Sequence, residues 1–162
     1  MRTSVFLTVL MTIVPLAVAA HDGEQHSKTN DHHHAIFSAG EPGDASKPAR
    51  IIKVIMSESD GKMLFAPARI ELKEGDQVKF VLFNRGELDH EFVLASTADN
   101  LKHAEEMKKN PDMAHEEPNS SRLSPKQSGQ IVWRFTKSGE FEYACLIPGH
   151  REAGMIGTIV VK

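Results

Sequence analysis

The chain has 162 residues, including nine His and seven Met but a single Cys, and this length suits one domain with short appendages. Its 40% hydrophobic and 25% charged residues are ordinary for a globular protein, which excludes a wholly disordered chain or one with several membrane spans. A formal net charge of −3 argues against nucleic-acid binding, and one Cys excludes both an internal disulfide framework and a metal site built from several thiolates.

Residues 1–20 have the pattern of an export signal. Arg2 supplies a positive start, residues 5–18 form an apolar centre, and residues 17–20 are small, as a cleavage region requires. The apolar stretch is short for a membrane span, and no charged stop-transfer pattern follows it. We therefore predict a cleaved signal peptide and no membrane anchor in the mature protein, with an uncleaved anchor as the alternative.

Residues 21–49 are predicted to form a flexible tail, because they are rich in Gly, Pro, Ser, Asp and His and lack apolar alternation. Neutral imidazoles on a flexible segment can bind a soft or borderline metal ion. The tail contains five such candidate ligands: His21, His26, His32, His33 and His34. A solvated tail without bound metal is the alternative, and both interpretations stay open here.

From residue 50 onward, short runs of alternating apolar residues are separated by turn residues, which is the pattern of β-strands. Seven runs have this character: 50–56, 69–72, 77–84, 88–96, 130–136, 140–145 and 155–161. Seven short strands predict an all-β domain over residues 50–162, built as an antiparallel sandwich or barrel.

An insertion at about residues 99–125 separates two of the predicted strands. Residues 99–109 are predicted to form a helix that ends before Asn110 and Pro111. The insertion contains four potential ligands for a soft metal ion, and these could form a site for Cu(I) in addition to any site within the β-sandwich: His103, Met107, Met113 and His115. The alternative is that Leu101 and Met107 pack the helix on the sandwich while the His side chains are solvated.

Two residues with metal-binding side chains are predicted to point into the apolar interior. In the strand at 88–96, alternation places His90 on the same face as Phe92. In the strand at 140–145, it places Cys145 on the same face as Tyr143. An inward imidazole and an inward thiol thus lie near the ends of two strands.

The segment after Cys145 can add two more ligands. Pro148 and Gly149 favour a turn that brings His150 back beside Cys145, and Met155 stands at the start of the last predicted strand. One thiolate, two imidazoles and one thioether can therefore meet at one end of the sandwich.

This set of ligand types favours copper. Two His and one Cys with a weak axial Met is the arrangement of a blue-copper electron-transfer site. A zinc site with water in the fourth position is the alternative, although zinc has little use for a thioether. Each residue by itself could also be an ordinary core residue.

The chain from about residue 50 to 162 resembles a cupredoxin, the single-domain copper β-sandwich. One part of the resemblance is an early strand pattern formed by Phe65, Pro67, Ile70, Leu72, Gly75, Asp76, Val78 and Phe80. The other is the loop at 145–155, which is similar to the rusticyanin-like ligand loop. The resemblance implies a Greek-key sandwich with a short helical insertion, and a type 1 copper site formed by His90, Cys145, His150 and Met155.

The His-rich tail, the Met/His insertion and the run Ile147, Pro148, Gly149 and His150 resemble exported cupredoxins associated with bacterial copper tolerance. This implies a periplasmic protein that binds redox-active copper ions and contacts a periplasmic redox or copper-transfer protein. The alternative is a single-electron shuttle between respiratory proteins. We predict no enzymatic activity, apart from an open question over cuprous oxidation.

Glu91 departs from the family pattern, because many electron-carrier cupredoxins have Asn or Ser after the first His ligand. A carboxylate there would alter hydrogen bonding around the thiolate and hence the reduction potential. The resemblance therefore leaves a blue or a green centre open.

Overall fold

The computed structural model describes residues 37–109 and 117–162. The predicted signal peptide, the His residues of the tail, Met113 and His115 lie outside this part of the chain. Ten strands and one helix make up the regular structure of the described residues: β1 (Glu41–Pro42), β2 (Arg50–Ser59), β3 (Lys62–Ala66), β4 (Arg69–Leu72), β5 (Gln77–Asn84), β6 (His90–Ala95), α1 (Thr97–Lys109), β7 (Ser120–Leu123), β8 (Ser128–Arg134), β9 (Gly139–Ala144) and β10 (Ile156–Val161).

The strands form two sheets of five, with the orders β1-β8-β5-β2-β3 and β4-β10-β9-β6-β7. Alternate residues face inward, as in β5, where every second side chain is buried. This arrangement confirms the predicted all-β sandwich with a short helix. The predicted antiparallel pairing is found for most neighbouring strands but is wrong for two pairs, because β2 pairs with β5 and β4 pairs with β10 in parallel.

Large aromatic side chains fill the space between the sheets. Phe92 and Tyr143 stack with ring centroids 5.2 Å apart, and Phe65 meets Tyr143 edge-on at the same distance. Trp133 and Phe80 are also fully buried. Offset and edge-to-face contacts of this kind stabilise aromatic pairs beyond their burial alone. These side chains therefore join the two sheets beneath the strand ends.

Three strands were not anticipated from the sequence, and one of them carried a clear signal. Strands β2 and β3 are joined by the two residues Asp60 and Gly61, which both have positive φ angles of 51° and 75°. Asp-Gly between two strands is a strong hairpin signal. Strand β7 lies inside the predicted insertion and is mostly polar, so it has no alternation of apolar residues that would predict a strand.

Packing begins before residue 50, within the segment interpreted as tail. The ring of Phe37 meets Trp133 edge-on at 5.2 Å, and Trp133 Nε1 donates a hydrogen bond to the Ala39 carbonyl at 3.1 Å. The short strand β1 then pairs with β8. Residues 37–42 are thus part of the sandwich.

Helix α1 covers the outer face of the second sheet. Val93 of β6, Ala144 of β9 and Leu146 form a small buried cluster against Ala104 of the helix. The helix begins two residues before its predicted start, because Ser96 accepts a hydrogen bond from the Asp99 amide at 3.1 Å and caps it. No helix among the described residues is long and apolar enough to cross a membrane.

Candidate metal centre

Three side chains with metal-binding atoms converge at one end of the sandwich. The ligand atoms of His90, Cys145 and His150 all lie within 4.8 Å of one another. His150 Nδ1 is 3.3 Å from both His90 Nδ1 and Cys145 Sγ. His90 and Cys145 are fully buried, whereas His150 is partly exposed. Within residues 37–109 and 117–162, no other trio of His, Cys, Asp or Glu meets this closely.

Strand ends and one turn hold these side chains. His90 opens β6, and Cys145 directly follows β9, the neighbour of β6 in the sheet. The chain then turns, with the His150 amide donating to the Ile147 carbonyl at 3.0 Å and Gly149 at a φ of 90°. This φ suits glycine, which carries no Cβ. The Pro-Gly turn thus returns His150 to Cys145 as the sequence suggested.

Met155 is joined to the same loop by its backbone. The Cys145 amide donates to the Met155 carbonyl at 3.1 Å, and the Met155 amide donates to the His150 carbonyl at 3.1 Å. The Met155 side chain is fully buried. A buried thioether on the residue tied to both Cys145 and His150 is consistent with the predicted axial position.

Burial sets the protonation of Cys145 and His150. It raises the pKa of the Cys145 thiol to about 12, against the opposing effect of the Glu91 and Ile147 amides. Burial and the neighbouring His90 lower the pKa of His150, which favours a neutral imidazole with a free lone pair. Cys145 therefore carries its proton until a metal ion displaces it.

The donor set fits copper. The imidazoles of His90 and His150 bring their Nδ1 atoms together beside one sulfur, and the Glu91 amide lies 3.3 Å from that sulfur as a hydrogen-bond donor. A mixture of thiolate and imidazole ligands accommodates both oxidation states of copper. The hydrogen bond to sulfur and the apolar surroundings are the features that tune such a site.

Glu58 is a residue of the site that sequence reasoning missed. Its Oε1 lies 2.8 Å from His90 Nε2, on the side of the ring away from Cys145, although the contact lacks hydrogen-bond alignment. Burial acts to raise the pKa of Glu58, but the amides of Leu88 and Glu87 outweigh it and hold that pKa below its usual value. No local pattern marks Glu58, because it comes from β2, far from His90 in sequence.

A network of polar side chains contacts the loop at 145–155 on the side away from the core. Arg151 forms two contacts with Glu142, Nη2 to Oε2 at 2.9 Å and Nε to Oε1 at 3.3 Å. Asn100 of α1 donates to Glu142 Oε1 at 3.2 Å. Helix α1 is therefore connected through Glu142 to the residue that follows His150.

The candidate secondary ligands are only partly within the described chain. In α1, Met107 is buried, His103 is partly buried and Leu101 is 48% exposed. Met107 thus packs the helix as the alternative interpretation held, whereas Leu101 does not, because it lies on the solvent side. The remaining candidates lie outside the described residues: Met113, His115, His21, His26, His32, His33 and His34.

Comparison with known proteins gives consistent results. Residues 52–162 match the model of the copper-binding proteins of the plastocyanin/azurin family. The chain is 46% identical over 157 residues to the copper-resistant cuproprotein CopI of Rubrivivax gelatinosus, covering 96% of this chain and 93% of that protein. It is 34% identical to CopI of Pseudomonas aeruginosa, covering 76% of this chain and 82% of that one.

Among solved structures, auracyanin B has a similar fold, with a TM-score of 0.62 and 24% identity over 76% of this chain and 96% of that one. This likeness confirms the cupredoxin sandwich predicted from the sequence, and the family match confirms copper as the cofactor. The chain therefore belongs to the plastocyanin/azurin family of copper-binding proteins, the cupredoxins, and is related to copper-resistance members of that family.

Proposed function

We propose that this protein handles copper in the bacterial periplasm and contributes to copper tolerance, with one redox-active copper ion held by His90, Cys145, His150 and Met155. The observation that carries the proposal is the convergence of two imidazole Nδ1 atoms on a buried thiol. The relatives named copper-resistant cuproproteins, which match nearly the full chain in one case, support the role in tolerance.

In this proposal each side chain has a distinct task. Cys145 supplies the thiolate and His90 a fully buried imidazole, while Met155 supplies a weak thioether. When bound, copper supplies one-electron chemistry by alternating between Cu(I) and Cu(II). His150 is the partly exposed member of the trio, so its outer edge offers a path for an electron to or from a periplasmic partner.

The protein acts as a binding and redox protein in this proposal, not as an enzyme. Extra soft ligands beyond the four of the centre distinguish it from a simple carrier, and the tail and the insertion at about residues 99–125 would widen its copper capacity. The second candidate function is a single-electron shuttle between respiratory proteins. The rigid placement of His90 and Cys145 at strand ends favours that alternative.

Deletion of the gene separates the two functions. We expect the deletion strain to grow poorly under copper stress and normally under respiratory conditions, with growth restored by the wild-type gene but not by Cys145→Ser. Normal copper tolerance together with impaired respiration would instead support the shuttle. Cell fractionation of the complemented strain checks the periplasmic location.

Copper stoichiometry tests the secondary sites. We expect the mature protein to bind more copper than a variant in which the five tail His residues are replaced by Gln, because neutral imidazoles bind copper and amides do so poorly. Equal stoichiometry in the two proteins would contradict a copper-binding tail. Cuprous oxidation is checked in the same samples by oxygen consumption with Cu(I), where we expect no turnover.

A further inference from the structure

The carboxylate of Glu58 is held in a fixed place beside the metal centre. Its Oε1 accepts a hydrogen bond from the Leu88 amide at 3.0 Å, and its Oε2 accepts one from the Glu87 amide at 3.1 Å. Gly86 leaves room for this, because a Cβ at that position would lie 2.1 Å from Glu58 Oε2. The loop between β5 and β6 is thus shaped around this side chain.

The same carboxylate faces the far nitrogen of a ligand. His90 is fully buried and turns Nδ1 toward His150, while its Nε2 lies 2.8 Å from Glu58 Oε1. A neutral imidazole carries one proton, which can sit on either nitrogen. Although this contact is not aligned as a hydrogen bond, the negative charge 2.8 Å from Nε2 favours the proton there and leaves the Nδ1 lone pair free for a metal ion.

The negative charge of Glu58 would also affect the relative stability of the two oxidation states of bound copper. A Cu(II) ion bound to one thiolate keeps a net positive charge, whereas a Cu(I) ion bound in the same way is neutral. A carboxylate at fixed distance therefore stabilises the oxidised centre more than the reduced one. The Glu58 side chain is 23% exposed, so water screens this effect only in part.

We propose that Glu58 is a positioning residue of the copper centre: it fixes the tautomer and ring orientation of His90 and favours Cu(II) over Cu(I). The inference rests on the proposed copper ligand set, and it adds to that set a residue from a strand that contributes no ligand. A merely structural Glu58, which only anchors the loop at 86–88, would affect folding stability but neither the His90 tautomer nor the reduction potential.

The experiment compares Glu58→Gln, Glu58→Ala and the control Glu87→Gln. Glu87 is a neighbouring carboxylate with an 82% exposed side chain that pairs with Lys126, so its loss removes the same charge without touching His90. Gln at position 58 is nearly isosteric and keeps an acceptor oxygen, whereas Ala removes the acceptor.

The first readout uses the copper-free protein. Nitrogen NMR of the imidazoles should show His90 protonated at Nε2 in the wild type, in Glu58→Gln and in Glu87→Gln, and a mixture of tautomers in Glu58→Ala. An unchanged His90 tautomer in a folded Glu58→Ala would overturn the positioning role. This readout does not depend on copper, so it is separate from the proposed function.

The second readout is the reduction potential of the copper-loaded proteins. We expect Glu58→Gln to lower the ratio of Cu(II) to Cu(I) affinity by about tenfold or more, equivalent to a rise of about 59 mV, and Glu87→Gln to leave it near the wild-type value. A wild-type potential in Glu58→Gln, or equal shifts in both variants, would contradict the inference. Failure of the proposed site would be seen differently, as a wild-type protein without a thiolate-to-copper absorption band.

Discussion

At the scale of single residues, burial keeps Cys145 and His150 neutral before metal binding. The Cys145 thiol has a pKa raised to about 12 by burial, and the pKa of His150 is lowered. Burying neutral groups costs far less than burying charges. We therefore expect the copper-free protein to fold with Cys145 protonated, and the thiolate to form only when a metal ion compensates its charge.

Asn84 is a further residue on which the site depends. It is 2% exposed, and its Nδ2 donates to the carbonyls of Leu88 at 2.7 Å and Leu123 at 2.9 Å. Its Oδ1 accepts a hydrogen bond from the Gly86 amide at 2.9 Å. One side chain thus joins the loop before His90 to β7.

We expect Asn84→Ala to lower the free energy of unfolding of the copper-free protein by about 2–4 kcal/mol, because buried backbone groups lose their partners. Chemical denaturation measures this change. Gln127→Ala is the control, because the Gln127 side chain is exposed and its Oε1 accepts one hydrogen bond from the Ser124 backbone amide. We expect this substitution to lower the free energy of unfolding by less than about 1 kcal/mol. A loss in Asn84→Ala no larger than that of the control would contradict the account.

At the scale of elements, α1 supports the ligand loop that follows β9. Its Asn100 contacts Glu142, which pairs with Arg151, and its Lys108 lies 3.5 Å from Glu152. Side-chain exposures of 21% for Arg151 and 8% for Glu142 show that this ion pair is largely buried. The helix thereby fixes the loop on the side of the sheet opposite the core.

We expect Arg151→Ala to lower the free energy of unfolding by about 2–4 kcal/mol, because it leaves the Glu142 carboxylate buried without its cation. The double variant Arg151→Met with Glu142→Gln should recover most of this loss, since both charges are then absent. Denaturation of the three copper-free proteins gives the comparison. A double variant no more stable than Arg151→Ala would show that the buried charge is not the cause.

Strands and helices were predictable from the sequence where apolar residues alternate clearly or where residues that end a helix or form a turn mark a boundary. Strands β4 and β5 occur at their predicted bounds, and α1 ends at Lys109 before the Asn-Pro pair, as predicted. Alternation cannot tell parallel from antiparallel pairing, because the side chains of a strand alternate in both. Strand β1 was missed because it has only two residues, one of them Pro42.

In the site too, some residues could be predicted from a short stretch of sequence, whereas others depend on contacts between distant segments. The placement of Cys145 and His150 follows from one strand end and one turn, so a short stretch of sequence was enough to suggest it. Glu58 and Asn84 act through contacts between segments that lie far apart in the chain, and only the three-dimensional fold reveals them. The buried outer face of β6 was likewise unpredictable, because it depends on where α1 packs.

At the scale of the whole molecule, the fold places the cluster of His90, Cys145 and His150 at one end of the sandwich. The proposed metal ligands come from the second sheet and its loop, while the first sheet contributes Glu58 beside His90. Such a centre serves copper handling if it exchanges copper or electrons with a partner near His150. In the proposed function, the tail and the insertion at about residues 99–125 would add copper capacity.

Visible absorption during titration of the copper-free protein with Cu(II) tests the central claim most directly. The account predicts an intense thiolate-to-copper band that saturates at one copper per Cys145, and loss of that band in Cys145→Ser, because serine cannot supply a thiolate donor. A wild-type protein that stays colourless with Cu(II) and binds only zinc would contradict the type 1 assignment.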